Sequence, residues 1–478
     1  MVSSSTSPRQ VPTGWLRRVA EDQSEPPRLY AWRLTNLADG ANYARKSLEV
    51  GVGVGVGVGE IPTPDDERRR IYILGVGNIG RLYASFLAKN DPRPPITLVV
   101  HRRELLDQWK AHPGIELVRD GKTERNPAFR IEWWTDAQPT HGPVREPGSG
   151  YGISNLIVAT KAPDAIPQVD RVRRYLDGRS TVAFAQNGMC KLWPPLGEVY
   201  VATRFGQGKE GPRWLACVTT HGVTSLGPFR SVHASPADVR VGSVMVRGGD
   251  GQVGNGSNNG DGDKDKDKDK DKDDYLAAQI VGAPGLAARR VATRELWVAQ
   301  LEKLVVNAVV NPLTAVLRCK NGEIFEERGD GLGDVVEMLV DEASRTLRAL
   351  VGHRSSEGIL LAQDIDGKED DVVTGAAAEE SLERTREELL ERFSSARLRT
   401  MLYSVGEKVA ANTSSMLQDV QAGKKTEIED FNGWLVETAW YLGDEDGLPV
   451  NEKLISLVED AAVRTRGELV KELQGSRS

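Results

Sequence analysis

A six-residue turn, Gly75-Val76-Gly77-Asn78-Ile79-Gly80, narrows the fold more than any other feature of the chain. The apolar run Ile71-Tyr72-Ile73-Leu74 precedes it. Arg81-Leu82-Tyr83-Ala84-Ser85-Phe86-Leu87-Ala88 follows, with apolar residues at helical spacing. The pattern GxGxxG alone is a weak signal, but between a strand and a helix it acquires a mechanism. The first glycine permits the tight turn, the second lets a pyrophosphate approach the backbone, and the third lets helix and strand pack closely. The N–H groups and partial positive charge of the helix N-terminus favour phosphate. Gly75, Val76, Gly77, Asn78, Ile79 and Gly80 are therefore candidate cofactor-binding residues. The competing reading is a glycine turn in an unrelated α/β protein.

Further apolar runs at residues 96–100, 155–160 and 181–185, with a helical stretch over 163–176, alternate as in a doubly wound parallel sheet. From residue 285 onward the patterns are helical, over 295–311, 332–351, 379–403, 426–442 and 451–473. The predicted fold is α/β. A Rossmann-type dinucleotide-binding domain (67–290) precedes an all-helical C-terminal domain (291–478).

Three segments read as appendages. Residues 1–66 are rich in Ser, Pro and Arg and contain five consecutive Val-Gly pairs, read as a disordered extension. Arg9, Arg17 and Arg18 without an acid before Glu21 fit either a mitochondrial presequence or a plain extension. The localisation expected is thus cytoplasmic, or mitochondrial in the first case. Residues 248–274, with nine Asp and five Lys, cannot repay the entropy of ordering. Residues 354–385 read as an acidic loop whose Gly and Glu are out of register for an EF-hand. These two inserts hold the acidity behind the net charge of -7 and leave a mildly basic body, without the marks of a nucleic-acid binder. No apolar run is long enough for a membrane span. Three scattered cysteines, Cys190, Cys217 and Cys319, make neither a disulfide framework nor a zinc site, so no metal is expected.

The residues after the second strand bear on the cofactor. His101-Arg102-Arg103 stands where an NAD-binding chain carries Asp or Glu for the ribose 2′-hydroxyl. A guanidinium grips a 2′-phosphate bidentately, so NADP(H) is favoured, through Arg102 first and Arg103 second. In the helical half, Lys303, Asn307 and Asn311 are four apart and share one helix face among apolar neighbours. Buried amides and an ammonium need partners, which a polar substrate can supply. Pro312 is expected to interrupt the helix there. In the polar run 414–429, Ser415 and Thr426 read as helix N-caps with Glu427 and Glu429 in a first turn. Plain capping explains that run equally well.

These pieces, with Thr160-Lys161, Gln186-Asn187-Gly188-Met189, Thr219-Thr220-His221-Gly222, Asn321-Gly322-Glu323 and Asn432-Gly433, occur in an order that resembles the ketopantoate reductase (2-dehydropantoate 2-reductase) family. The resemblance covers most of residues 70–475. It implies a Rossmann domain joined to a helical domain, with the active site in the cleft and hydride delivered by NADPH to the 2-keto carbon of ketopantoate. By resemblance Lys303 is the general acid. Asn307, Asn311, Asn321 and Ser415 hold the substrate. Lys161, Asn187 and Glu427 lie near the nicotinamide and its ribose, and Arg102 reads the 2′-phosphate. A monomer or homodimer acting on a small 2-oxo acid in pantothenate synthesis is implied. The extension and inserts are departures from the family pattern and leave the physiological 2-oxo acid open. The alternatives are a reductase of another 2-oxo acid and a non-catalytic NADP-binding regulatory protein of the same fold.

Overall fold

The computed structural model describes residues 19, 21–22, 24–37, 63–206, 211–244, 274–362 and 376–475. The chain divides into two compact units, 24–187 with 204–292, and 188–203 with 293 onward.

The first unit contains strands β1 (Tyr30–Trp32), β2 (Ile71–Leu74), β3 (Ile96–Val100), β4 (Ile115–Arg119), β5 (Lys122–Asn126), β6 (Arg130–Thr135) and β7 (Asn155–Val158). They are followed by β8 (Thr181–Phe184), β9 (Arg213–Thr219), β10 (Gly222–Gly227), β11 (Arg230–Ser235), β12 (Val239–Ser243) and β13 (Ala288–Arg290). Nine of these form one sheet in the order β1-β6-β3-β2-β7-β8-β9-β12-β13. From β6 to β9 every neighbouring pair is parallel. Strands β2, β3, β7 and β8 are buried throughout, as expected of parallel strands covered on both faces. The α/β expectation with a Rossmann-type sheet followed by a helical region holds.

Four differences from the sequence reading have physical causes. Residues 24–37 are not part of an outlying extension. Strand β1 pairs antiparallel with β6, Trp32 opposite Trp133, and Leu29, Ala31, Trp32 and Leu37 are buried. A three-residue strand is too short to announce itself by periodicity. The folded body also resumes before 67, at Thr63, whose hydroxyl accepts from Asp66 N–H in a capping box opening the helix Pro64–Arg69. The Val-Gly run lies outside the described residues, as does the Asp-Lys segment up to residue 273.

The second difference is a four-stranded sheet, β10-β11-β4-β5, that the apolar pattern does not reveal. Its edge strand β5 reads KTERN and is largely exposed. The only signal for the hairpin is Asp120-Gly121, both at positive φ (51° and 72°), the conformation that two-residue hairpins favour. Thirdly, the described part of the acidic stretch 354–385 is largely helical. Arg354–Ser356, Glu357–Leu360 and the start of Ala376–Arg392 belong to it, and only 363–375 lie outside the described residues. The sequence AAAEESLER is acidic but built of strong helix formers. Fourthly, residues 188–203 pack with the helical unit, so the boundary is crossed before residue 290.

The segment Thr219-Thr220-His221 serves the sheet unit's interior. Thr219 Oγ1 lies 2.8 Å from the Tyr83 hydroxyl. Ala237 N–H donates to His221 Nδ1, and the imidazole's Nε2 is 2.9 Å from the Leu286 carbonyl. His221 therefore carries its proton on Nε2, and His233 Nε2–H must donate to His221 Nδ1 across 3.0 Å. Burial, with His221 and Arg119 nearby, pushes the His233 pKa from 6.5 down to about 4. Both folded and unfolded chains are neutral at this group above pH 6.5. Below it the unfolded chain takes up the proton first, so stability falls as pH drops from 6.5 through 4. His233→Gln keeps a donor and removes the titration. Its melting temperature is expected to fall less than that of the native protein between pH 7 and about 4.5, as followed by circular dichroism. Equal falls contradict this.

The second unit is helical. Its longest helix, Thr293–Leu317, runs straight through Pro312, contrary to the expected interruption. A helical proline withholds the N–H that would bond the carbonyl four residues earlier, here Ala308. That carbonyl instead accepts from Asn432 Nδ2 at 2.9 Å. Asn432 also donates to Asn451 Oδ1 (2.8 Å), and Asn451 Nδ2 donates to Glu342 Oε2 (2.7 Å). The Glu342 carboxylate further accepts the Val450 and Asn451 backbone N–H groups at the start of the helix Pro449–Glu459. All four partners are buried, so this polar chain compensates a backbone defect inside the core.

Candidate active site

In the sheet unit, the candidate cofactor residues follow the carboxyl ends of four adjacent parallel strands. The glycine turn follows β2, Arg102 follows β3, Lys161 follows β7 and Asn187 follows β8. That edge is where open α/β sheets bind ligands. The turn has the geometry its spacing implies. Gly75 is at φ 98°, and a Cβ there would lie 2.8 Å from the Ala159 carbonyl. A Cβ at Gly80 would stand 2.0 Å from the Gly75 oxygen, a backbone atom that cannot yield. A Cβ on Gly77 would meet nothing within 4 Å, leaving its backbone approachable.

The Asn78 side chain is engaged within the protein, which leaves its backbone for a ligand. Its Oδ1 accepts from Arg81 and Ser231, and its Nδ2 donates to Val223 O. Arg81, missed in the sequence, is buried and braces the turn. Its Nε donates to Gly77 O at 3.1 Å and its Nη1 to the Gly227 and Arg230 carbonyls. Burial without a carboxylate lowers its pKa to about 10. Two buried oxygens at the same sheet edge, Thr160 Oγ1 after β7 and Gln186 Oε1 after β8, have no hydrogen-bond partner. Unsatisfied oxygens at that edge fit a ligand bringing hydroxyl or amide donors, as a dinucleotide's ribose and carboxamide do.

In the helical unit, Lys303, Asn307 and Asn311 line one stripe of the helix Thr293–Leu317. Lys303 and Asn307 are half-buried and Asn311 is 7% exposed. Two neighbouring segments pack on this helix, the turn Asn321–Phe325 and the helix Ser415–Gln421. Asn321 is buried and its Oδ1 lacks a partner. The N-cap of the second segment is Ser414, not Ser415. Ser414 Oγ accepts from Leu417 N–H at 3.1 Å and lies 2.7 Å from Thr314 Oγ1 of the long helix. Ser415 is exposed at the first helical position, one residue past that tether. Thr426 is not a cap; residues 424–426 are irregular and helical turns begin at Ile428. Glu427 is buried just before them. Glu429 in the turn that follows has its pKa raised by desolvation and by Glu459 and Asp430. The unit thus gathers one ammonium, several amides and a hydroxyl around one helix, a set able to hold a carboxylate and protonate an oxygen. Among the described residues no cluster of three or more metal-ligating side chains occurs, and no helix is long and apolar enough to cross a membrane.

Comparison with known proteins matches both units. Residues 71–245 match the family model described as ketopantoate reductase PanE/ApbA, and residues 295–462 match its C-terminal model. The chain is 39% identical over 454 residues to a ketoisovalerate reductase of Gibberella fujikuroi, covering 93% of this chain and 95% of that protein. It is 38% identical to a ketoisovalerate reductase of Beauveria bassiana, over 96% and 98% of the two chains. A 2-dehydropantoate 2-reductase of Halobacterium salinarum is 25% identical over 81% of this chain and 97% of its own. Among solved structures, a PanE/ApbA family ketopantoate reductase from Ralstonia eutropha superposes with a TM-score of 0.52 at 16% identity, over 85% of this chain and 99% of that one. D-mandelate dehydrogenase in complex with NADH and anilino(oxo)acetate gives 0.50 at 16%, over 84% and 99%, a likeness of fold. With both family models spanning the two units, this chain belongs to the ketopantoate reductase PanE/ApbA family.

Proposed function

We propose that the protein reduces a branched 2-oxo acid with a reduced nicotinamide dinucleotide, and that 2-ketoisovalerate is a better substrate than ketopantoate. The observation that carries the reading is the Lys303, Asn307 and Asn311 stripe, with the unpartnered Asn321 Oδ1 beside it, in a chain so extensively similar to two ketoisovalerate reductases. The bound cofactor supplies hydride to the substrate's C2. The chain's own residues do the rest. Lys303 Nζ donates a proton to the C2 oxygen as negative charge builds there, and its ammonium stabilises that charge. The Asn307, Asn311 and Asn321 amides, with the Ser415 hydroxyl, orient the carboxylate. Gly75–Gly80, Lys161, Asn187 and Glu427 hold the dinucleotide.

Ketopantoate is the second reading, favoured by the family models and the Halobacterium relative. A panel of 2-oxo acids at fixed NADPH separates the two. The proposal expects kcat/KM for 2-ketoisovalerate at least about tenfold above that for ketopantoate, the margin one well-filled pocket group can give. The opposite ranking selects ketopantoate. The cofactor is read as NADPH because His101-Arg102-Arg103, and not an acid, directly follows β3. Arg102→Ala is expected to raise the NADPH KM roughly tenfold or more, the scale of a charge-assisted hydrogen bond, and to leave the NADH KM nearly unchanged. Equal effects on both rule that reading out.

A further inference from the structure

Arg103 is exposed and stands at the start of the helix Glu104–Ala111. Its guanidinium carbon lies 5.6 Å from the centroid of the Trp32 ring. Two ladders of the sheet bring Trp32 there. It faces Trp133 across β1 and β6, and Trp133 faces Val100, the last residue of β3. The indole is 7% exposed, its Nε1–H donates to the Ala137 carbonyl at 2.7 Å, and its ring stands 5.5 Å from that of Trp133. The platform under Arg103 is therefore fixed by packing and a hydrogen bond of its own.

The guanidinium over the indole has no carboxylate. Arg33, Arg70, Arg130 and Arg230 each pair with a glutamate of the same unit. Among the described residues no acid pairs with Arg103, and its side chain has only the tryptophan. A cation–π contact with a ring consumes none of the guanidinium's N–H donors and leaves them to meet oxygens. A cation so held, three residues past the end of β3, has the chemistry to receive a phosphate ester. We propose that Trp32 is a positioning residue that holds Arg103 for the 2′-phosphate of the dinucleotide. Strand β1, supplied by the N-terminal segment, is thereby part of the cofactor selectivity device. The inference rests on the NADPH reading above and adds to it the residue that aims Arg103.

The test uses the full chain and no turnover. Calorimetry compares binding of adenosine 2′,5′-bisphosphate and of AMP. The native protein binds the bisphosphate more tightly. Arg103→Ala weakens bisphosphate binding about tenfold or more, the scale of a charge-assisted contact. Trp32→Leu weakens it about two- to thirtyfold, the range of a cation–π contact. Both variants bind AMP as the native protein does. Trp32→Phe keeps a ring and retains most of the preference. In an Arg103→Ala background, Trp32→Leu has no further effect. Loss of AMP and bisphosphate binding in equal measure on Trp32→Leu, or additive losses in the double variant, overturns the inference. A native preference that survives Arg103→Ala leaves the cofactor reading on Arg102 alone and removes Trp32 from it. A native protein without any preference removes both.

Discussion

Lys303→Ala is expected to lower kcat with 2-ketoisovalerate by about 10²–10⁴, the span of a positioned general acid. Binding of the dinucleotide, measured by quenching or calorimetry, is unchanged. The size follows from what the ammonium does. In the proposed reaction negative charge builds on the carbonyl oxygen as C2 is reduced, and Lys303 is the cation on the stripe it shares with Asn307 and Asn311. Loss of one oxyanion-stabilising donor alone costs about 10²–10³ in rate. Lys303→Arg separates the two parts of the role. Arginine keeps the charge but does not release its proton at neutral pH, so kcat stays low if proton donation matters. Recovery to near-native kcat with arginine would assign Lys303 a purely electrostatic part. A native rate in Lys303→Ala removes it from the chemistry.

Asn432→Ala destabilises the protein strongly. It leaves the Ala308 carbonyl and Asn451 Oδ1 buried without their donor, at about 1–3 kcal/mol for each. Asn432 is 0% exposed, so water does not readily replace it. The midpoint of urea unfolding is expected to drop with its slope unchanged. The cause is tested by pairing the change with Pro312→Ala. Alanine restores the N–H that Ala308 accepts in an ordinary helix. Pro312→Ala should therefore stabilise the Asn432→Ala protein by at least about 0.5 kcal/mol more than it stabilises the native one. Strict additivity would show that Asn432 acts through something other than the proline gap.

What the sequence discloses depends on whether the signal is local. Strand β2, the glycine turn and the following helix are legible because burial on both faces and a phosphate-sized turn each write a short pattern. Lys303, Asn307 and Asn311 stand out because polar residues at spacing four interrupt an apolar helix. Pro312 misleads because its compensation comes from Asn432, 120 positions away. The KTERN edge strand has no apolar face to betray it, and β1 is too short to show a period. Residues 188–203 look like a continuation of the sheet unit, yet they pack with the helices. There Trp193 Nε1 donates to Gln300 of the long helix. At the site, Ser414 takes the capping role expected of Ser415, a one-residue shift that places the Ser415 hydroxyl outside the cap. Trp32 shows the same limit. Its tie to Arg103 exists only once β1 and β3 share a sheet.

Direct hydride transfer is the most immediate test of the reductase reading. The purified chain is incubated with 2-ketoisovalerate and NADPH carrying deuterium at both C4 positions of the dihydronicotinamide ring, and the product is weighed by mass spectrometry. The prediction is 2-hydroxyisovalerate bearing one deuterium on C2, formed at the rate NADPH is consumed and lost with Lys303→Ala. Consumption of the dinucleotide without deuterium in a 2-hydroxy acid, or no product from any branched 2-oxo acid, would contradict it.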